Sequence, residues 1–85
     1  MENNIMINDY SYNMGQLIDV QDKKEYLLHP TPGSTNIPFN ELIFNHTKYL
    51  DKNKTYYLVC LNGHKSKRAT NILRVYGYKV INVLK

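Results

Sequence analysis

Three short apolar runs place the strongest constraint on the fold of this chain. They cover residues 16–20 (QLIDV), 55–60 (TYYLVC) and 78–84 (YKVINVL), and polar and apolar side chains hardly alternate within them. A strand with one face in water alternates with a period of two, so runs of this kind are typical of strands covered on both faces. The sequence therefore predicts a sheet with both faces packed.

Two segments with helical spacing accompany these strands. Residues 39–50 are predicted to form one helix with Asn40 as its N-cap, and its apolar stripe consists of Leu42, Ile43, Phe44 and Tyr49. Residues 66–77 are predicted to form a second helix that Ser66 caps and Gly77 ends. Its apolar positions follow the spacing i, i+3, i+4 and i+7, and they are Ala69, Ile72, Leu73 and Tyr76.

Strands that alternate with helices through short connections predict βαβ units and a mostly parallel sheet. Residues 29–38 (HPTPGSTNIP) are the exception, because their three prolines and one glycine rule out a regular helix. We expect an ordered loop there that leads into a very short strand around residues 36–37. The length of 85 residues predicts a single domain over residues 1–85.

Composition narrows the classes of function. A single cysteine cannot form an internal disulfide, and the first nine residues carry neither a basic region nor a long apolar stretch. We therefore expect a cytoplasmic protein with no membrane partner. The formal net charge is +4, but the basic residues form no continuous stripe and follow no RNP-like or zinc-finger spacing, so we expect no nucleic-acid partner.

The candidate site begins at Cys60, where the second apolar run ends. Ligands of parallel α/β sheets bind outside the carboxyl ends of the strands, and the loop after Cys60 runs into a helix N-terminus, which favours negative charge. Lys65 and Lys67 are the nearby cations, and Gly63 allows a tight turn that aims several N–H groups at one spot above the sulfur. Such a nest would stabilise a thiolate, a persulfide or a bound oxyanion alike.

Simpler and rival roles for Cys60 also follow from the sequence. A lone cysteine after a strand is often a small buried hydrophobe. A Cys60–His64 pair would need a third group to orient the ring, and His29 and His46 are not at ligand spacing, so no metal site is expected. The C-x-x-x-x-x-R cradle of cysteine phosphatases fails on loop length, because Ser66 stands at the arginine position.

Four segments, LIDVQDKKEY, PGSTNIP, YLVCLNGHKS and GYKVINVLK, occur in this order and spacing. As a set they resemble a single-domain rhodanese-like (thiosulfate sulfurtransferase-like) protein over residues 17–85. The resemblance implies an α/β fold with a central, mostly parallel five-stranded sheet flanked by helices. It also implies a sulfurtransferase whose cysteine takes a sulfane sulfur as a persulfide and passes it to a thiol or to cyanide. Such domains are often monomers, and we expect a monomer or a weak dimer.

Matched position by position, the resemblance makes Cys60 the catalytic, persulfide-bearing nucleophile. Its loop would bind the substrate through backbone donors, and the substrate-binding residues would be Leu61, Asn62, Gly63, His64, Lys65 and Ser66. Asp19 matches an aspartate with a structural role in holding nearby loops, and Glu25 and Tyr26 match an E-Y pair of the family. The implied partners are a small-molecule or protein sulfur donor and a thiol acceptor, with no cofactor.

Four positions depart from the family pattern. Gln21 stands where arginine is usual, Pro30 where histidine is frequent, and Leu61 where members that use thiosulfate often carry a basic residue. Lys65 replaces a frequent arginine, which keeps the charge but loses the bidentate fork for an oxyanion. Because thiosulfate is a dianion, these losses disfavour it as the donor. They leave open a second function, a catalytically weak module that binds a partner or senses sulfide or oxidation.

Overall fold

The structure is a computed structural model that describes residues 4–85. Within this range the chain forms five strands, four α-helices and two short 3₁₀ turns, at Ile7–Asp9 and Tyr12–Met14. The strands are β1 (Asn4–Met6), β2 (Gln16–Asp19), β3 (Thr35–Asn36), β4 (Thr55–Val59) and β5 (Lys79–Leu84). The helices are α1 (Lys23–Leu28), α2 (Phe39–Phe44), α3 (His46–Tyr49) and α4 (His64–Val75).

The five strands form one sheet in the order β1-β5-β4-β2-β3, and every neighbouring pair among them is parallel. This arrangement confirms the predicted α/β fold with a five-stranded sheet flanked by helices. The predicted apolar runs became β2, β4 and β5 with ends shifted by a single residue, and the predicted very short strand is β3. The carboxyl ends of parallel strands lie at the same edge of the sheet, so the residues that follow β2, β3 and β4 meet at that edge.

The core lies on both faces of the sheet. On one face, a large cluster that includes Ile18 and Leu58 of the sheet packs against Leu42 of α2 and Leu73 of α4, and all four are fully buried. On the other face, a smaller cluster contains Leu17, Tyr57, Val59 and Val83, against which Ile5, Ile7, Tyr10 and Ile81 pack. Successive side chains of a strand point to opposite faces, which explains why neighbours such as Leu17 and Ile18 belong to different clusters.

The prediction of one continuous helix over residues 39–50 is wrong. This segment is divided into α2 and α3 at Asn45, whose side-chain amide donates to the carbonyl of Glu41 at 3.0 Å. Asparagine competes with helical hydrogen bonding in this way, which explains the break. Pro38 rather than Asn40 precedes the first helical residue, and Phe44 is 80% exposed instead of lying in the apolar stripe.

Helix α4 ends as predicted but begins earlier. Gly77 has φ of 95° and its N–H bonds to Arg74, while the N–H of Tyr78 bonds to Leu73, which is the Schellman arrangement. The predicted N-cap at Ser66 is wrong, because α4 starts at His64 with Gly63 as its N-cap. Ser66 therefore lies in the first turn of α4, where its N–H is free of helical partners and faces the cysteine.

Candidate active site

Cys60 is the first residue after β4, the strand at the centre of the sheet. It belongs to the cluster that includes Ala69 and Leu73 of α4, is a free thiol and is 3% exposed. The interpretation of Cys60 as a small buried residue is therefore correct as to its burial. Burial alone does not account for its hydrogen bonds.

The sulfur of Cys60 is held by the first turn of α4. The N–H of Ser66 donates to Sγ at 3.3 Å, and Ser66 Oγ lies 3.4 Å from Sγ and 3.2 Å from the carbonyl oxygen of Gly63. A hydroxyl can rotate, so it can accept from a thiol while donating to Gly63, or donate to a thiolate. Ser66 thus offers a thiolate or a persulfide one fixed donor and one switchable donor at the positive end of the helix dipole.

The loop between Cys60 and α4 turns at Gly63, whose φ of 84° lies in the left-handed region that favours glycine. The side chain of Asn62 stabilises this turn, since its Oδ1 accepts the N–H of His64 at 3.0 Å. The same oxygen lies 3.8 Å from Cys60 Sγ. One of the N–H groups expected to face the sulfur is therefore already bonded, and an acceptor oxygen stands beside the thiol.

A cavity of about 260 Å³ opens beside Cys60. Its lining contains five of the seven predicted site residues, together with two residues of the β2–α1 region: Gln21, Glu25, Cys60, Leu61, Asn62, His64 and Lys65. Gly63 and Ser66 do not line the cavity and act from behind it, on the turn and on the sulfur. In the sequence, Gln21 stood out only as a departure from the family pattern, and Glu25 only as a match to it.

The charge of Lys65, one of the two cations expected near Cys60, is offset by neighbouring carboxylates. Lys65 Nζ lies 3.4 Å from Asp22 Oδ2 and 3.5 Å from Glu25 Oε1, so one cation stands between two anions. All three side chains are substantially exposed, and the pairs are screened accordingly. These three residues carry one positive and two negative formal charges, so a dianion that approaches the cavity meets no net positive charge from them.

Behind the cavity, the Asp19 side chain links the end of β2 to the loop that precedes β3. It is fully buried and accepts from the N–H of Gln21 at 2.9 Å, from Gln21 Nε2 at 3.0 Å and from Thr31 Oγ1 at 2.6 Å. Asn36 Nδ2 in turn donates to the carbonyl oxygens of Asp19 and Gln21, at 3.0 Å and 2.9 Å. The expected role of Asp19 in holding nearby loops is confirmed.

Two further features, a cluster of metal ligands and a membrane-spanning helix, are absent from residues 4–85. In this part of the chain, no three side chains of the His, Cys, Asp or Glu type lie close enough together to hold a metal ion. Over the same residues, no helix has the length and apolar character needed to cross a membrane.

Together these features define an α/β domain in which a buried cysteine follows the central parallel strand and begins a loop that leads to a helix N-terminus. The family model described as the Rhodanese-like domain matches residues 3–85. The chain belongs to this family, and the resemblance of its four sequence segments is thereby confirmed.

Known relatives agree with this assignment. The chain is 35% identical over 63 residues to "Adenylyltransferase and sulfurtransferase uba4" of Ogataea parapolymorpha, covering 74% of this chain and 16% of that protein. It is 32% identical over 69 residues to "Putative sulfur carrier protein YrkF" of Bacillus subtilis, covering 80% of this chain and 37% of that protein. The chain thus spans less than half the length of either relative, and both are named for sulfur transfer or carriage.

Among solved structures, SSP1007 of Staphylococcus saprophyticus is similar over nearly the whole chain. The two superpose with a TM-score of 0.84 at 28% identity, covering 99% of this chain and 87% of that one. The parallel sheet and its flanking helices are thus shared with a protein of comparable size.

Proposed function

We propose that this protein is a sulfurtransferase that carries a sulfane sulfur as a persulfide on Cys60. The observation that carries the proposal is the placement of Cys60: its sulfur accepts the N–H of Ser66 in the first turn of α4 and borders a cavity of about 260 Å³. The names of the two relatives, sulfurtransferase and sulfur carrier, support the same reaction class. The proposal takes residues 1–85 as one rhodanese-like domain.

The reaction consists of two displacements at sulfur. In the first, the Cys60 thiolate attacks the outer sulfur of a donor R–S–SH. A new S–S bond forms on Cys60, the S–S bond of the donor breaks, and its electron pair leaves with R–S⁻. In the second, a thiolate or cyanide attacks the outer sulfur of Cys60–S–SH and releases Cys60 as a thiolate. No external oxidant or reductant is needed, because each step exchanges one bond to sulfur for another.

The residues around Cys60 have distinct roles in this scheme. The N–H of Ser66 and its hydroxyl stabilise negative charge on Sγ before attack and after release. Gly63 and Asn62 fix the turn that aims α4 at the sulfur. Leu61 is 51% exposed at the cavity, where it offers apolar surface to the organic part of a donor or acceptor.

The charges at the cavity favour a persulfide over thiosulfate as the donor. Thiosulfate carries two negative charges, while Lys65 is already shared by Asp22 and Glu25. A hydropersulfide on a small molecule or on a protein does not require that charge to be neutralised. We therefore propose a persulfide donor and a thiol acceptor. The compartment that fits a lone, free cysteine is the cytoplasm.

A second candidate function rests on the position of Asn62 Oδ1. This oxygen accepts the N–H of His64 and lies 3.8 Å from Sγ, so that N–H is not available to stabilise negative charge on the sulfur. A loop that offers fewer free donors would bind a partner or sense sulfide or oxidation while transferring sulfur slowly. Turnover is the property that separates this module from the enzyme.

The test is formation of thiocyanate from a hydropersulfide donor and cyanide. Wild type is compared with Cys60→Ser, whose folding is checked by urea denaturation, and with wild type alkylated at its single cysteine. The proposal expects catalytic thiocyanate formation by wild type only, with ping-pong kinetics. If wild type forms no more thiocyanate than Cys60→Ser does, the protein is the binding or sensing module instead.

A further inference from the structure

Gln21 borders the Cys60 cavity with a side chain that is 2% exposed. Its Nε2 donates to Asp19 Oδ2 at 3.0 Å and to the carbonyl oxygen of His29 at 3.1 Å. Its Oε1 has no hydrogen-bond partner among residues 4–85. Thr70 and Asn82 also carry an unpaired buried oxygen, but of these three residues only Gln21 borders the cavity. Buried polar atoms are nearly always paired in folded proteins, so the Gln21 oxygen is the one that a donor on a ligand in this cavity would satisfy.

The orientation of the Gln21 amide is fixed by its partners. Reversing the amide would place Oε1 against the Asp19 carboxyl oxygen and the His29 carbonyl oxygen, both of which are acceptors. Asp19 also strengthens the unpaired oxygen, because a carboxylate that accepts from Nε2 polarises the amide and raises the electron density on Oε1. The Gln21 side chain that borders the cavity therefore carries an unpaired acceptor with a buried carboxylate behind it.

Oxyanion donors are poorly matched to this wall. A thiosulfate oxygen is itself an acceptor, so it would leave Oε1 unpaired and would meet the charge of the buried Asp19 behind it. The outer S–H of a hydropersulfide is a donor and satisfies Oε1. A proton on that outer sulfur also suits the reaction, since a deprotonated outer sulfur would repel the attacking thiolate.

We propose that Gln21 Oε1 accepts a hydrogen bond from the outer S–H of a hydropersulfide and thereby selects hydropersulfides over thiosulfate. This inference rests on the proposed function of Cys60. In the loading step the outer sulfur moves from R–S–SH to Cys60–S–SH with its proton in place, and R–S⁻ leaves with the electron pair of the broken bond. In the discharge step a thiolate R′–S⁻ takes the same sulfur and proton as R′–S–SH, and Cys60 leaves as a thiolate.

The experiment compares two variants that separate the donor and acceptor halves of the amide. Gln21→Arg keeps N–H donors for Asp19 and His29 but replaces the acceptor by a cation, whereas Gln21→Met removes both halves at similar volume. Loading of Cys60 is followed by intact mass with cysteine hydropersulfide and with thiosulfate, and the ratio of the two loading rates is the readout. Urea denaturation of each variant reports on folding.

Gln21→Arg is expected to lower this ratio by about tenfold or more, since hydrogen bonds to charged groups change rates by that order. Gln21→Met is expected to slow loading by cysteine hydropersulfide without accelerating loading by thiosulfate. A ratio within about twofold of wild type in both folded variants would overturn the inference. If Gln21→Met does not fold, Gln21→Arg decides alone, and equal loading of wild type by the two donors overturns the inference with no variant at all.

A pH profile distinguishes contact with the substrate from a purely structural role. Wild-type loading by cysteine hydropersulfide is expected to persist to higher pH than that of Gln21→Arg, because Oε1 holds the proton on the outer sulfur. If the loading rates of wild type and Gln21→Arg decline over the same alkaline pH range, the inference is overturned. If wild type does not load from any donor, the proposed function of Cys60 is refuted instead. Failure of the proposed function is therefore distinguishable from failure of the inference about Gln21.

The source of the hydropersulfide is tested in a separate arm with a short peptide that carries one persulfidated cysteine. Loading by the peptide as well as by cysteine hydropersulfide, both sensitive to Gln21→Arg, supports the inference for a protein source. Loading by cysteine hydropersulfide alone, with the same sensitivity, supports it for a small-molecule source.

Discussion

Replacing Asp19 by alanine is expected to remove a large part of the stability of the domain. Asp19 is fully buried and accepts three hydrogen bonds, two from Gln21 and one from Thr31. The substitution leaves these three donors without the acceptor for which they are positioned. It also releases the turn after β2, which supports the wall of the Cys60 cavity.

The magnitude follows from the groups that lose their partner. Each buried donor that loses its partner costs about 1–3 kcal/mol. The three bonds share one carboxylate and are not fully additive, so we expect Asp19→Ala to lower the free energy of unfolding by about 3–5 kcal/mol. A domain of this size has a total of about 4–13 kcal/mol, so this loss amounts to at least about a quarter of the stability and to all of it at the lower end of the range.

Urea denaturation followed by circular dichroism measures this loss. Thr31→Val is the matched control, because it removes a single hydroxyl from the same carboxylate and is expected to cost about 1–2 kcal/mol. A loss below about 1 kcal/mol for Asp19→Ala, with an unchanged denaturant slope, would refute the view that this buried carboxylate holds the carboxyl edge of the sheet.

Three further predictions concern the loop and its charges. Ser66→Ala keeps the N–H but removes the switchable hydroxyl, so sulfur loading of Cys60 should slow by about two- to tenfold, and an unchanged rate would deny the hydroxyl a role. Gly63→Ala and Gly33→Ala both force alanine to a left-handed φ, so each should lower the free energy of unfolding, measured by urea denaturation, by about 1–2 kcal/mol. Only Gly63→Ala should also slow sulfur loading of Cys60. Equal loading rates in the two variants would contradict this. Glu25→Gln removes one of the two carboxylates beside Lys65 and leaves Asp22, so loading by thiosulfate should rise by about two- to fivefold at low salt and less at high salt. No rise would show that Glu25 does not offset the cation.

The sheet was predictable because its inner strands are buried on both faces. β2, β4 and β5 are continuous apolar runs, and tertiary packing changed their ends by only one residue. β1 was not predicted, since its three residues are half-buried or exposed at the edge of the sheet and form no apolar run. α1 was missed for a similar reason: none of its residues is buried, so no stripe marks it.

Helix ends were less predictable because they depend on backbone geometry. Ser66 looked like an N-cap, but Gly63 takes that position with a left-handed φ, and the Asn62 side chain bonds the N–H of His64. The order Asn-Gly before α4 was the available signal for a turn at that point. The shift has a functional consequence, because it places the N–H of Ser66 on the sulfur of Cys60.

The site was predictable as far as it is local in sequence. The position of Cys60 at the end of a strand, with its loop and helix N-terminus, could be inferred from residues 55–66. The ion pairs of Lys65 with Asp22 and Glu25, and the place of Gln21 in the cavity wall, arise only when β2 and β4 lie side by side. The departures from the family pattern at Gln21, Pro30, Leu61 and Lys65 were the sequence signals that pointed to an altered donor.

Intact-protein mass measurement after incubation with cysteine hydropersulfide tests the central claim most directly. With one cysteine in the chain, the sulfur count reports on Cys60 alone. The account predicts that wild type gains one sulfur atom, that cyanide removes it as thiocyanate, and that Cys60→Ser gains none. Equal gain by Cys60→Ser, or no gain by wild type, would contradict the assignment of Cys60 as a sulfur carrier.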